Sequence, residues 1–171
     1  MQLTELCERY DEQLRTDAFS EIDASANGLQ VGSEKEIGHA AFAVDAAIET
    51  IDRAAEAGAG VLCVHHGLSW GGFDRLTGRT YDRIAALIEN DLALYVSHLP
   101  LDSHPELGNA AGVADHLGLS SQQPFGAYGD ETIGIVGHTK RRSAPTDSES
   151  VSRDSKPETK TYGCSISAPK I

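Results

Sequence analysis

The sequence predicts an α/β fold, an open and mostly parallel sheet built from βαβ units with helices on its flanks. Two apolar runs of strand length carry this reading, Val61-Leu62-Cys63-Val64 and Leu92-Ala93-Leu94-Tyr95-Val96-Ser97, because a continuous apolar run suits a strand buried on both faces. The third observation is the alternation around them. Ala40-Ala41-Phe42-Ala43-Val44-Asp45 is a further strand, and segments of helical spacing separate all three.

From the N-terminus, Leu3, Leu6, Tyr10 and Leu14 fall at helical spacing, with Glu5, Glu8, Asp11 and Glu12 mostly outside, so an amphipathic helix opens the chain. Asn27-Gly28-Leu29-Gln30-Val31-Gly32 reads as a turn entering a short strand. After the strand at 40–45, one helical face is marked by Ala47, Ile48, Ile51, Ala54 and Ala55, ending near Gly58 and Gly60. The run at 61–64 then completes a βαβ unit, which favours a parallel pair. A glycine-rich loop, Gly67 to Gly78, leads into a helix carrying Tyr81, Ile84, Ala85 and Ile88 and then to the strand at 92–97. Pro105 is expected to start a helix with Leu107, Ala110, Ala111, Ala114 and Leu117 on one face, stopping at Gly118. Thr132-Ile133-Gly134-Ile135-Val136 reads as the last strand.

The character of the chain changes after His138. Residues 1–138 contain 22 of the 26 acids and 7 of the 14 Lys and Arg, a net charge of −15; residues 139–171 contain 4 acids and 7 bases, a net of +3. The later segment has 11 Ser and Thr and no Leu or Phe, too little apolar surface to offset the entropy of ordering. The expected organisation is therefore an α/β domain over 1–138 and a disordered tail over 139–171. Such a break is what a truncated or shifted reading frame produces, and a native regulatory tail has the same composition.

The acidic first part, with Lys35 as its one lysine, suits solubility in concentrated salt and a halophilic source. It excludes the phosphate backbone of nucleic acid as a partner, since nothing there could neutralise it. With no apolar run long enough for a membrane span, a soluble, cytoplasmic protein is expected. Cys7, Cys63 and Cys164 are too few and too far apart for a disulfide framework or a metal knuckle, so reduced thiols are expected, with Cys63 in the core.

Chemistry concentrates where the buried strands end. A strand interior cannot hold two imidazoles without partners, so His65 and His66, followed by Gly67, mark a strand end. Once the strand breaks, both rings can turn to one crevice and could serve different ions; each could also be satisfied by backbone hydrogen bonds. The 92–97 strand runs into His98-Leu99-Pro100-Leu101-Asp102, bringing another histidine and a carboxylate to the same end of the sheet, where ligands of such folds bind. Asp102 is read as a metal ligand able to bridge cations, with helix capping as its other use. His98 could be a ligand, a proton carrier or a supporting partner, and an active-site role other than ligation is favoured. His39, His104, His116 and His138 are expected to be surface or capping residues. Trp70 could cover either the site mouth or the core, and the glycines of 67–78 match no phosphate-binding loop.

Asn27-Gly28-Leu29-Gln30-Val31-Gly32, Phe42-Ala43-Val44-Asp45, Val64-His65-His66-Gly67, Ser97-His98-Leu99-Pro100-Leu101-Asp102 and Gly108-Asn109 together resemble, in order and spacing, the NGG-interacting-factor-three family, often named type-2 GTP cyclohydrolase I. The resemblance covers about residues 1–138. It implies a dinuclear centre of divalent zinc, iron or manganese, a toroidal homo-hexamer, and opening of the imidazole ring of GTP by a metal-activated water. His65, His66 and Asp102 match the family's N-terminal metal ligands, and His98 would be the catalytic proton carrier. In the family a Gly-His-x-x-x-Glu-like segment closes the site. Here Gly137-His138 is followed four residues later by Arg142, so the lobe that carries those ligands is expected to be missing. A non-catalytic metal-binding or interaction protein, or a hydrolase of another nucleotide or phosphoester, is the alternative expectation.

Overall fold

The structure, a computed structural model, describes residues 1–73 and 75–139. The tail expected to be disordered lies, from residue 140 on, outside the described residues, as does Cys164. A four-stranded sheet in the order β1-β4-β3-β2 forms the centre: β1 (Gly28–Val31), β2 (Ala40–Asp45), β3 (Val61–His66) and β4 (Ala93–Val96). The pairs β2–β3 and β3–β4 are parallel, and β1 joins β4 antiparallel, so the sheet is mostly parallel as the alternation predicts.

The twofold period of a strand explains how the sheet is covered. Along β3 and β4, Leu62, Val64, Leu94 and Val96 point to one face, where they pack with Ile51 and Ala54 of α2 (Ile48–Glu56) and Leu87 of α3 (Gly78–Glu89). Val61, Cys63, Ala93 and Tyr95 point to the other, against Leu3 and Cys7 of α1 (Leu3–Leu14). Both faces are therefore closed by helices over the two central strands, which is why those strands read as unbroken apolar runs. Cys7 and Cys63 are free and buried, and burial pushes the Cys63 thiol up to about 12. Beside this layer, the Tyr95 hydroxyl donates to Asp11 Oδ1 at 2.8 Å and the ring meets the edge of Tyr10, tying α1 to β4.

One expectation for the C-terminal half needs correction, and another is met in a separate sheet. Pro105 does not open a helix: α4 (Leu99–Ser103) precedes it and α5 (Asn109–His116) begins four residues after it. His104, extended at φ −67°, ψ 124° as a residue before proline prefers, ends α4, and its ring Nδ1 accepts the Glu106 and Leu107 N–H groups to shape the turn. Leu107 and Leu117 consequently stand exposed, outside the face expected of them. The strand at 132–136 exists as β6 (Glu131–His138), but it belongs to a separate antiparallel hairpin with β5 (Ser120–Tyr128), closed at Gly129-Asp130. The sequence of β5, with Gln122, Gln123, Pro124 and Gly126, has no alternation to announce it. No helix among the described residues is long and apolar enough to cross a membrane.

Candidate metal centre

The parallel register builds the site. Asp45 at the end of β2 lies level with His66 at the end of β3, and Val96 at the end of β4 is level with Val64, so the chain beyond β4 delivers His98 beside the pair. Ring centroids are 4.5 Å apart for His65 and His66, 4.9 Å for His65 and His98, and 5.8 Å for His66 and His98. Each ring offers a nitrogen that lies within 4.8 Å of the other two, the spacing of a group that can hold a metal ion.

One nitrogen of each ring is already engaged. Nδ1 of His65 lies 3.1 Å from the Ser97 carbonyl, Nδ1 of His66 2.7 Å from Asp45 Oδ1, and Nδ1 of His98 3.0 Å from Asp23 Oδ1. Carbonyl and carboxylate oxygens only accept, so in a neutral ring each Nδ1 carries the proton and Nε2 is left bare. Imidazoles whose Nδ1 is held on an oxygen have the form of histidines prepared for a metal. His65 Nε2 faces Asp102 Oδ2 at 3.6 Å. Two lone-pair donors opposed at that distance are reconciled by a cation, so the donor chemistry fits a divalent ion. Asp102 lies within α4 and its other oxygen accepts from Asn109 Nδ2 at 2.8 Å, which orients the carboxylate instead of leaving it to cap a helix.

The break after His66 is held from the 23–30 segment. A Cβ on Gly67 would stand 2.5 Å from Val96 Cγ2 and 2.6 Å from Gln30 Oε1, so only glycine fits there. Gln30 Oε1 accepts the N–H groups of Leu68 and Ser69, and Gln30 Nε2 donates to the Ala26 carbonyl. Backbone bonds Ala26 N–H to Ser69 O and Gly71 N–H to Ala24 O complete the lacing. Trp70 packs edge-on to His98, 4.9 Å between centroids, and is 46% exposed, at the mouth of the site.

Asp23 is the most enclosed of the site's carboxylates, its side chain 2% exposed. Burial alone would raise its pKa. Hydrogen bonds from Asn27 Nδ2, Ser25 N–H, His98 and Leu99 N–H outweigh burial and hold the carboxyl below its ordinary value. Asn27 Oδ1 also accepts the His98 N–H at 2.7 Å. A cavity of about 390 Å³ is lined by His65 together with Tyr10, Phe42, Tyr95, Ser97 and Asn109.

The four residues singled out from sequence thus meet: His65, His66 and His98 form the cluster and Asp102 flanks it. Asp23 belongs to none of the motifs quoted from the sequence, and Asn27, Gln30 and Asp45 stand there only inside the motifs that carry the resemblance, with no role of their own. The strand-end position of Asp45, level with His66 in a parallel pair, is a signal that could have found it; for Asp23 and Asn27 the polar link before β1 gives none, and Gln30 lies inside β1. His39, His116 and His138 are exposed and lie outside the cluster, and His104 caps its turn.

Residues 1–163 match the family described as Duf34/NIF3 (NGG1p interacting factor 3), a match that runs past the residues 1–138 in which the motifs are recognisable. Among curated relatives, a "GTP cyclohydrolase 1 type 2 homolog" of Halobacterium salinarum is 52% identical over 153 residues, covering 88% of this chain and 60% of the relative. One of the same name from Treponema pallidum is 46% identical, over 75% of this chain and 45% of its own length. The chain therefore spans roughly half to three fifths of the relatives it matches. Among solved structures, the protein TTHA1606 of Thermus thermophilus superposes with a TM-score of 0.70 at 38% identity, over 73% of this chain and 51% of that one.

Proposed function

Because the chain belongs to the Duf34/NIF3 family, we propose that its histidine cluster is a divalent-metal centre serving hydrolysis of a purine nucleotide, GTP in the first instance. The observation that carries this reading is the meeting of His65, His66 and His98 in one cluster, each with Nδ1 on an oxygen, and of Asp102 Oδ2 3.6 Å from His65 Nε2. The choice of GTP follows the relatives' names.

In this reading His65 and His66 give neutral nitrogen donors, and Asp102 gives the negative charge that offsets the ion. Zinc, iron or manganese suits such a set, and two ions would use the His65–His66 adjacency. A divalent ion bound by these residues would supply Lewis acidity to a water molecule near neutral pH. His98, its Nδ1–H on Asp23, accepts the proton of the attacking water at Nε2 and can return it to a departing ring nitrogen. Asn109 keeps Asp102 aimed, and Trp70 shields the mouth from bulk water.

The test is to incubate the purified chain with GTP and Zn²⁺, Fe²⁺ or Mn²⁺ in turn and assay for formate, the one-carbon product of ring opening. Metal content by elemental analysis accompanies it. His65→Ala, His66→Ala and Asp102→Ala should each lower bound metal and abolish formate, while His39→Ala and His116→Ala should change neither. Metal bound by the parent without formate from GTP would leave a metal-binding module in place of the enzyme. Equal metal in all five variants would remove the site itself.

A further inference from the structure

We propose that Asp23 is a positioning residue of the centre: it holds His98, whose ring lies beside those of His65 and His66, in the single tautomer, Nδ1–H, that leaves Nε2 bare. The catalytic meaning rests on the reading above, in which His98 Nε2 receives a proton; the tautomer itself does not depend on it.

The geometry is specific. The His98 Nδ1 sits 3.0 Å from Asp23 Oδ1 and 3.2 Å from Oδ2, so the ring addresses the carboxylate as a whole. Each carboxylate oxygen is also claimed by other donors: Oδ1 by the Ser25 N–H at 2.9 Å, Oδ2 by Asn27 Nδ2 at 2.8 Å and the Leu99 N–H at 3.0 Å. Every group facing Asp23 is therefore a donor, and the carboxylate has no proton to offer back. A neutral His98 has one choice, to donate from Nδ1. The backbone of the same residue is pinned from the same segment, since its N–H donates to Asn27 Oδ1, while Trp70 fixes the ring plane from the side. Asp23 and Asn27 thus grip His98 at ring and main chain together, and the buried position of Asp23 keeps water from competing.

An amide in place of the carboxylate breaks this logic. Asparagine at 23 presents one oxygen and one NH2, and either orientation sets an N–H against a group that only donates. The orientation that turns the NH2 to His98 is satisfied only if the ring moves its proton to Nε2. The result is a ring of unchanged shape in the wrong tautomer, the same consequence that an Asp-to-Asn change has in serine-protease triads.

The experiment is long-range ¹H–¹⁵N NMR on metal-free protein labelled at histidine, at pH 8, where neutral rings report their tautomer by nitrogen shift. In the parent chain His98 should show a protonated Nδ1 and a bare Nε2. In Asp23→Asn the population should move toward Nε2–H by about tenfold or more, with His66, held by Asp45, unchanged. Turnover of GTP should fall by about 10² to 10⁴ in Asp23→Asn, the range a general base contributes, and by no further factor when the change is made in a His98→Ala background. A parent His98 protonated at Nε2, or a tautomer indifferent to Asp23→Asn, overturns the proposal. Should the variant fail to fold, the parent spectrum alone still decides it. A parent that shows the stated tautomer but binds no Zn²⁺ supports the role of Asp23 and overturns the metal reading instead.

Discussion

At the residue scale, the site is assembled less by its histidines than by the oxygens behind them. Ser97, Asp45 and Asp23 each take one Nδ1–H, and three such contacts define the chemistry of three rings. Asp23 differs from the other two in being nearly enclosed, which gives its ionisation a consequence for stability. Its folded pKa is held below the unfolded value of about 3.9, so the stabilisation is complete above that pH and is lost as pH falls through the folded value. Asp23→Asn should accordingly melt below the parent at pH 6 to 7, and the gap in Tm should close as pH is lowered from about 4 toward 2. A gap of constant size from pH 7 to 2 would show that the carboxylate charge contributes nothing. Histidines at the ends of apolar runs are conspicuous in a sequence because imidazole does not belong there, whereas Asp23 and Asn27 sit in a polar link, and Gln30 in a short strand, where each looks ordinary. Their importance comes from partners 38 to 76 residues away, and pairing at that distance has no local signature.

At the element scale, the junction of α4 and α5 sets where Asp102 and Asn109 stand. A Cβ on Gly108 would lie 2.4 Å from the His104 carbonyl oxygen, 2.7 Å from that of Leu101 and 2.8 Å from that of Asp102, all main-chain atoms that cannot step aside. Gly112, one turn further along α5, has nothing within 4 Å of such a Cβ. The two glycines therefore predict opposite outcomes. Gly112→Ala should stabilise the chain by about 0.5–1 kcal/mol, the usual gain of alanine in a helix interior. Gly108→Ala should cost about 1–3 kcal/mol by overpacking and, by separating α4 from α5, weaken metal binding as well. Urea denaturation of both variants checks the signs; stabilisation by Gly108→Ala would mean that the junction is loose. The same junction hides its turn from the sequence. Pro105 followed by apolar residues at helical spacing is a sound start signal, but the His104 ring and the close approach of Gly108 to three carbonyls impose a turn that spacing cannot reveal. The βαβ core was legible because burial on both faces of β3 and β4 leaves unbroken apolar runs. The β5 strand was not, because a two-stranded hairpin with exposed Phe125 and Tyr128 needs no apolar alternation.

At the scale of the whole molecule, charge is the dominant unbalanced quantity. A net of −15 over residues 1–138 is well beyond the magnitude of about 2 to 8 that keeps a small domain soluble without strong self-repulsion. Ion pairs do little to offset it. Arg9 with Glu5 and Arg15 with Glu131 join exposed arginines to single acids, and pairs of that kind are worth about 0–1 kcal/mol each. Close acids at the site add to the burden, since Asp23, Asp45 and Asp102 all lie against the histidine cluster. Salt should therefore stabilise the protein, and the form of the dependence tests the cause. The Debye length shrinks from about 10 Å at 0.1 M to about 3 Å at 1 M, so screening of surface repulsion is essentially complete by molar salt. The melting temperature should rise steeply with potassium chloride up to about 1 M and then level off, while sucrose of equal osmolarity should not reproduce the early rise. A Tm that is flat from low to multimolar salt would mean that the acidic surface carries no folding cost. A Tm that keeps climbing at the same rate beyond 1 M would assign the effect to ion exclusion from the surface, which acts on buried area and not on charge.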